Sequence, residues 1–117
     1  MPTAKELFHA SKQRDCISLG LEGSANKLGV GVIEHSRSGK VTVRSNVRHT
    51  YITPPGQGFL PSDTARHHKS WALSVVKQAL KDAGMSISQV DCVCFTKGAL
   101  SLKPALKAAL KPDLKPY

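Results

Sequence analysis

No apolar run in this chain approaches the ~20 residues that a membrane-spanning helix needs, and no stretch at its start has the apolar length of a secretory signal. Cysteine is scarce: three residues in 117, an odd number, with no Cys-x-x-Cys. That argues against a disulfide framework or a zinc ribbon and points to a reducing intracellular setting. Bulky aromatics are few as well, three Phe, two Tyr and one Trp, so the core has to be mainly aliphatic. Acids are outnumbered, eight Asp and Glu against 17 Lys and Arg. The resulting net charge of +9 favours polyanionic partners such as RNA, through phosphate contacts and counterion release. Length sets the ceiling: one small domain with a modest core, short of the two lobes needed to enclose a nucleotide.

Residues 1–15 are polar apart from Leu7 and Phe8 and read as a flexible leader with at most a helical turn. From Cys16 the text changes to short apolar runs, CISLGLEG, LGVGVIEH and KVTVRSNVRHTYI, with Ser36 to Gly39 as the turn between the second and third. This predicts a strand meander in which Val30, Val32, Val41 and Val43 alternate onto a buried face. The Pro- and Gly-rich run from Ile52 to Asp63 predicts a loop. Ser62 or Asp63 is then placed to cap a helix whose apolar residues Ala65, Trp71, Leu73, Val75, Val76, Ala79 and Leu80 recur near a helical period until Gly84 ends it. Asp91 to Phe95 reads as a further strand, on which Cys92 and Cys94 share one face as buried structural cysteines. The order β-β-β-α-β is an α/β arrangement compatible with the first part of an actin-like, Hsp70-like ATPase (ASKHA) lobe, with three antiparallel strands, a crossover helix and a parallel strand. Residues 16–98 form the folded unit in this reading. In the tail, 99–117, Leu and Lys recur every four residues against Pro104, Pro112 and Pro116, which leaves Lys103, Lys107, Lys111 and Lys115 as a solvated face or a frayed end.

Chemistry-bearing residues concentrate at three places. Between Gly20 and Gly29 a strand ends in a turn carrying Glu22, Ser24, Asn26 and Lys27. Backbone N–H groups in such a turn can point at phosphate, and Lys27 can neutralise its charge. The alternative is a hairpin whose polar groups satisfy their own backbone. Adjacent His67 and His68 point about 100° apart on a helix and cannot both face one metal ion unaided, so capping, packing or substrate-facing roles fit them better. Arg66, His67 and Lys69 are candidates for RNA contact, against a solvated helix start. Thr96, Lys97 and Gly98 follow a strand, where α/β folds often place ligand contacts. No paired carboxylates or Ser-His-Asp spacing suggests catalysis, and no metal ligands are assigned.

The blocks LGLEGSANKLGVGV, SNVRHTYITPPGQGFLPSDTARHH and VDCVCFTKG, in this order between about Ser18 and Gly98, resemble the N-terminal part of the tRNA N6-adenosine threonylcarbamoyltransferase family (Gcp/TsaD/OSGEP), in its archaeal and eukaryotic branch. The resemblance implies transfer of a threonylcarbamoyl group from its adenylate to N6 of adenosine 37 in tRNA. It also implies one divalent metal ion, partners in the KEOPS complex, tRNA as substrate, and a cytoplasmic or nuclear rather than mitochondrial location. In actin-like folds the first hairpin faces the nucleotide, which favours Glu22, Ser24, Asn26 and Lys27 as substrate-facing, and Thr96-Lys97-Gly98 resembles the family's turn at the cleft. After Gly98 the text departs: a glycine-rich PGMGAPL-like loop and a later His-x-x-x-His metal segment are expected, and ALSLKPALKAALKPDLKPY stands there instead. The expectation is a truncated member that binds no cofactor and is inactive alone, with small-molecule binding in doubt. A non-catalytic module keeping a KEOPS-partner or tRNA surface is the alternative. A free-standing RNA-binding domain is weakest, for want of an aromatic platform among the basic residues.

Overall fold

The computed structural model describes residues 3, 5, 6, 13–24, 26–58 and 60–96. The expectations for Lys97, Gly98 and the tail at 99–117 lie outside these residues. The elements run β1 (Cys16–Ser24), β2 (Lys27–His35), β3 (Val41–Thr50), α1 (Pro61–Ala83), a 3-10 turn (Ile87–Gln89) and β4 (Cys92–Phe95). Near the start of the chain Thr3 and Glu6 exchange backbone-to-side-chain hydrogen bonds of 2.8 and 3.1 Å.

Alternation decides which face of each strand is buried. Ile17, Leu19 and Leu21 of β1 and Leu28, Val30 and Val32 of β2 point to one side, where they join Val93 of β4 and the inner face of α1 in a single core. The sheet order is β3-β2-β1-β4. β1, β2 and β3 are antiparallel neighbours, and β4 returns parallel to β1 after the helical crossover. The expected β-β-β-α-β order is therefore present, as a mixed α/β unit with a four-stranded sheet and one long helix. The crossover lands by Asp91: its backbone N–H donates to the Ile17 carbonyl, its Oδ2 accepts from the Ile17 N–H, each at 2.8 Å, and its Oδ1 pairs with Arg14 at 3.1 Å.

Three local expectations are corrected. Val41 and Val43 are exposed, at 59% and 63%, because a bulge between Val32 and Ile33 pairs Val32 with Ser45 but Ile33 with Val43. The extra residue, Arg44, is held out by Glu34 at 2.9 Å, and residues before it turn to the other face of the sheet. Ser45 points inward instead, its hydroxyl donating to the Ala79 carbonyl at 2.7 Å. The helix starts earlier than its polar residues suggest: Pro61 sits in the first turn after Leu60, and no side chain caps it, since proline's fixed φ already suits that position. Finally, the inner stripe is Thr64, His68, Ala72, Val75, Val76, Ala79 and Leu80, spaced by three and four, so Trp71 and Leu73 fall on the exposed side. The far end is as expected: Gly84 takes φ 68°, and the Met85 N–H closes on the Leu80 carbonyl at 3.0 Å, a left-handed cap that glycine adopts without a side-chain clash.

Candidate functional site

The face of the sheet turned away from α1 carries the chemistry. Its middle row, read across the pairing, is Cys94, Gly20, Gly31 and Asn46; in the next row Glu22, Gly29 and Arg48 stand side by side. Three glycines in neighbouring positions leave the middle of this face without side chains. They floor an open groove of ≈ 610 Å³ whose walls are Glu22, Ser24, Lys27, Asn46, Arg48 and Thr96. A Cβ built on Gly20 meets nothing within 4 Å, and one on Gly31 only the Ser45 carbonyl at 3.5 Å. The hollow is thus a consequence of missing side chains and not of backbone strain.

Of the residues expected to face a substrate, Glu22, Ser24, Lys27 and Thr96 line this groove together. Asn26 sits in the turn beside it, its carbonyl accepting the Tyr51 N–H at 2.6 Å. The turn is shorter than expected: β1 runs on to Ser24 and β2 resumes at Lys27, which places Glu22 in the strand. Asn46, Arg48, Cys94 and the glycine floor were missed by sequence reasoning. The signal was present as Gly29-x-Gly31 opposite Gly20, a period-two gap on one strand face. Among the described residues neither Lys27, Arg48 nor Glu22 forms an ion pair. Two cations and one carboxylate on a concave surface favour an anionic ligand.

The other side of the sheet holds a chain of three imidazoles. His68 Nε2 lies 2.9 Å from the Ser24 carbonyl, its Nδ1 is 2.9 Å from Nδ1 of His67, and Nε2 of His67 is 2.9 Å from Nδ1 of His49. Donors and acceptors can be assigned in one neutral way: His49 donates to His67, His67 to His68, and His68 to the carbonyl. Each inter-ring contact holds a single proton, so the intact chain carries at most one added charge. Trp71 stacks on His49 with centroids 3.7 Å apart, and Tyr51 meets His67 edge-on at 5.2 Å. The chain ties α1 and β3 to the end of β1 beside the groove. Arg66 and Lys69 lie exposed on the same helix, with Arg66 4.0 Å from Asp63. His67, proposed with them for RNA contact, has both ring nitrogens engaged by other histidines.

Burial, with the neighbouring His68 and His49, holds the His67 imidazole below its ordinary value. Unfolded His67 titrates at about pH 6.5, so between that value and the lower folded one the unfolded chain binds more protons. The stability from this group is then fully present above about pH 6.5 and is lost as the pH falls through the folded value. We expect a melting temperature that drops between about pH 7.5 and about pH 5.5. His67→Asn, which keeps a donor near Nδ1 but cannot take a proton, should flatten that drop; an unchanged slope would refute the assignment.

The family model described as tRNA N6-adenosine threonylcarbamoyltransferase matches residues 42–99. A protein of that name from Schizosaccharomyces pombe is 63% identical over 82 residues, covering 70% of this chain and 24% of the relative. The Candida glabrata protein of the same name is 63% identical over 83 residues, 70% of this chain and 22% of the relative. One from Cryptococcus neoformans is 58% identical over 102 residues, 83% of this chain and 26% of the relative. The chain therefore spans about a quarter of the length of the curated relatives it matches. On this identity, and on the family match through β3, α1 and β4, the chain belongs to the tRNA N6-adenosine threonylcarbamoyltransferase family.

Proposed function

We propose that this chain supplies the N-terminal sheet and substrate groove of a tRNA threonylcarbamoyltransferase, within an actin-like ATPase lobe, and that the 117 residues alone do not complete the reaction. The observation that carries this reading is the groove: a glycine floor, with Lys27 and Arg48 on its walls, inside a segment 63% identical to a protein named for that activity. Threonylcarbamoyl adenylate carries a phosphate and a carboxylate, and two unpaired cations over a concave floor suit such a ligand. Lys27 and Arg48 would hold its anionic groups, Asn46 and Thr96 would supply hydrogen bonds, and Glu22 would orient its neutral part. The divalent metal is a different matter. Among the described residues no three His, Cys, Asp or Glu side chains could hold an ion, so these residues do not fit it. Arg66 and Lys69, on the opposite side of the sheet from the groove, are available to tRNA phosphates or to a KEOPS partner, in the cytoplasm or nucleus.

A chimera tests the reading. Residues of this chain aligned with the fission yeast transferase replace the corresponding segment of that enzyme, and tRNA modification is assayed with threonylcarbamoyl adenylate and the remaining subunits. The chimera should retain transfer while the 117-residue chain alone gives none. A folded but inactive chimera, or transfer by the chain alone, would overturn it.

A further inference from the structure

The open sheet face carries a second reactive group that the groove reading does not use. Cys92 and Cys94 lie two apart on β4 and so point to the same side, with their Sγ atoms 3.9 Å apart. They are not the buried structural pair that the sequence suggests: Cys94 is exposed and Cys92 only half-buried, because β4 turns them away from the core, which it reaches through Val93. We propose that Cys92 and Cys94 form a reversible dithiol–disulfide pair, oxidised by a hydroperoxide and reduced by small thiols, at the wall of the groove.

The two thiols are unequal in the way such a pair requires. Either thiol can donate to the other across that distance; with Cys92 as the donor, the hydrogen bond lowers Cys94 to about 6 against the opposing effect of burial. The same hydrogen bond, with burial second, pushes Cys92 well up. Cys94 is the more exposed of the two and the one on the groove wall, and the hydrogen bond favours its thiolate, so it is the attacking group and Cys92 supplies the proton. Gly20 is the cross-strand partner of Cys94, and a Cβ there would touch nothing within 4 Å. A small peroxide can therefore reach the thiolate from the groove.

The steps balance. The Cys94 thiolate attacks the terminal oxygen of the hydroperoxide; an S–O bond forms, the O–O bond breaks, and the alkoxide leaves as the alcohol after taking a proton from water. Cys94 is now a sulfenic acid and the peroxide is reduced. The Cys92 sulfur then attacks the Cys94 sulfur, an S–S bond forms, the S–O bond breaks, and the departing hydroxide leaves as water with the Cys92 proton. The sum is two thiols and one hydroperoxide giving one disulfide, one alcohol and one water. Residues two apart on an extended strand are separated by about 6.6 Å at Cα, near the upper limit of about 6.8 Å for a disulfide. β4 can adjust, since among the described residues it is paired only with β1. A bond formed near that limit is easily reduced, as a reversible switch needs. Closing it draws the Cys94 sulfur toward Cys92 and out of the groove wall.

The experiment uses the whole 117-residue chain, reduced and then exposed to hydrogen peroxide. Intact mass should show loss of two hydrogens, peptide mapping should place the link between Cys92 and Cys94, and dithiothreitol should reverse it. Cys92→Ser should stop the reaction at a sulfenic acid on Cys94, trapped by dimedone. Cys94→Ser should lower the oxidation rate at least tenfold, and Cys16→Ser should leave it unchanged. Both β4 variants are conservative at non-core positions, and circular dichroism verifies their fold. A Cys94–Cys94 link between molecules, direct over-oxidation of Cys94 in the unaltered chain, or equal rates with and without Cys94 would each overturn the proposal.

Discussion

Gly31→Val in the fission yeast chimera should reduce threonylcarbamoyl transfer by roughly a hundredfold or more, the loss that misplacing a reactant by about 1 Å can cause, while the protein melts as before. Gly31 lies on the middle strand of the floor, between Gly20 and Asn46 in the pairing. The first added carbon would make only an ordinary contact, 3.5 Å from the Ser45 carbonyl. The remaining two carbons would project into the hollow. Valine suits a strand better than glycine, by up to about 1 kcal/mol, so the fold has no reason to weaken. The two outcomes separate two uses of the floor. Lost transfer with an unchanged melting temperature identifies a ligand groove. Lost folding would mean that another segment of polypeptide packs against the glycines in the full enzyme, and the groove reading would fail. Full activity would refute both. Arg48→Ala is the companion change, aimed at the ligand's charge instead of its space.

Much of this architecture was legible because it rests on short-range rules. The Ser36 to Gly39 turn and the glycine stop at Gly84 each depend on a few adjacent residues and appear where the text placed them, and the proline-rich loop is present up to the helix start at Pro61, earlier than the text placed its end. What the text did not reveal depends on partners far away. Val41 and Val43 have the alternation of buried positions, yet the bulge at Arg44 is settled by pairing with β2 and by Glu34. Trp71 and Leu73 looked like core because they recur near the helical period of the apolar residues, while the helix buries the smaller Thr64, Ala72 and Ala79 where it approaches the sheet. The site divides in the same way. Glu22, Ser24, Lys27 and Thr96 were found from turn chemistry and family likeness, whereas Arg48 and Asn46 enter only through the β2–β3 register. The imidazole chain was invisible for a related reason: His49 and His67 are 18 residues apart in sequence and meet only because α1 folds back over β3.

Leu19→Ala should unfold the isolated chain under conditions in which the unaltered chain is folded. Leu19 is fully buried, at 0% exposure, at the centre of β1, with Val32 and Val93 as its cross-strand partners. Among the described residues β1 alone is paired on one side to the hairpin and on the other to the crossover strand. Shrinking a side chain there loses the transfer energy of the missing methyl groups and leaves a cavity, together about 2–5 kcal/mol. The upper part of that range applies, because collapse is hindered from both sides by paired strands. A domain of this size has about 5 kcal/mol to lose at the low end of ordinary stability. Ile17→Val, at the edge of the same core, should cost only about 0.5–1.5 kcal/mol. Ile52→Ala, whose side chain is 83% exposed, should change stability by no more than about 0.5 kcal/mol. Urea titrations followed by circular dichroism give all three values on one scale. If Leu19→Ala costs no more than Ile52→Ala, the buried face of β1 does not hold this sheet together, and the groove on its other side loses its support.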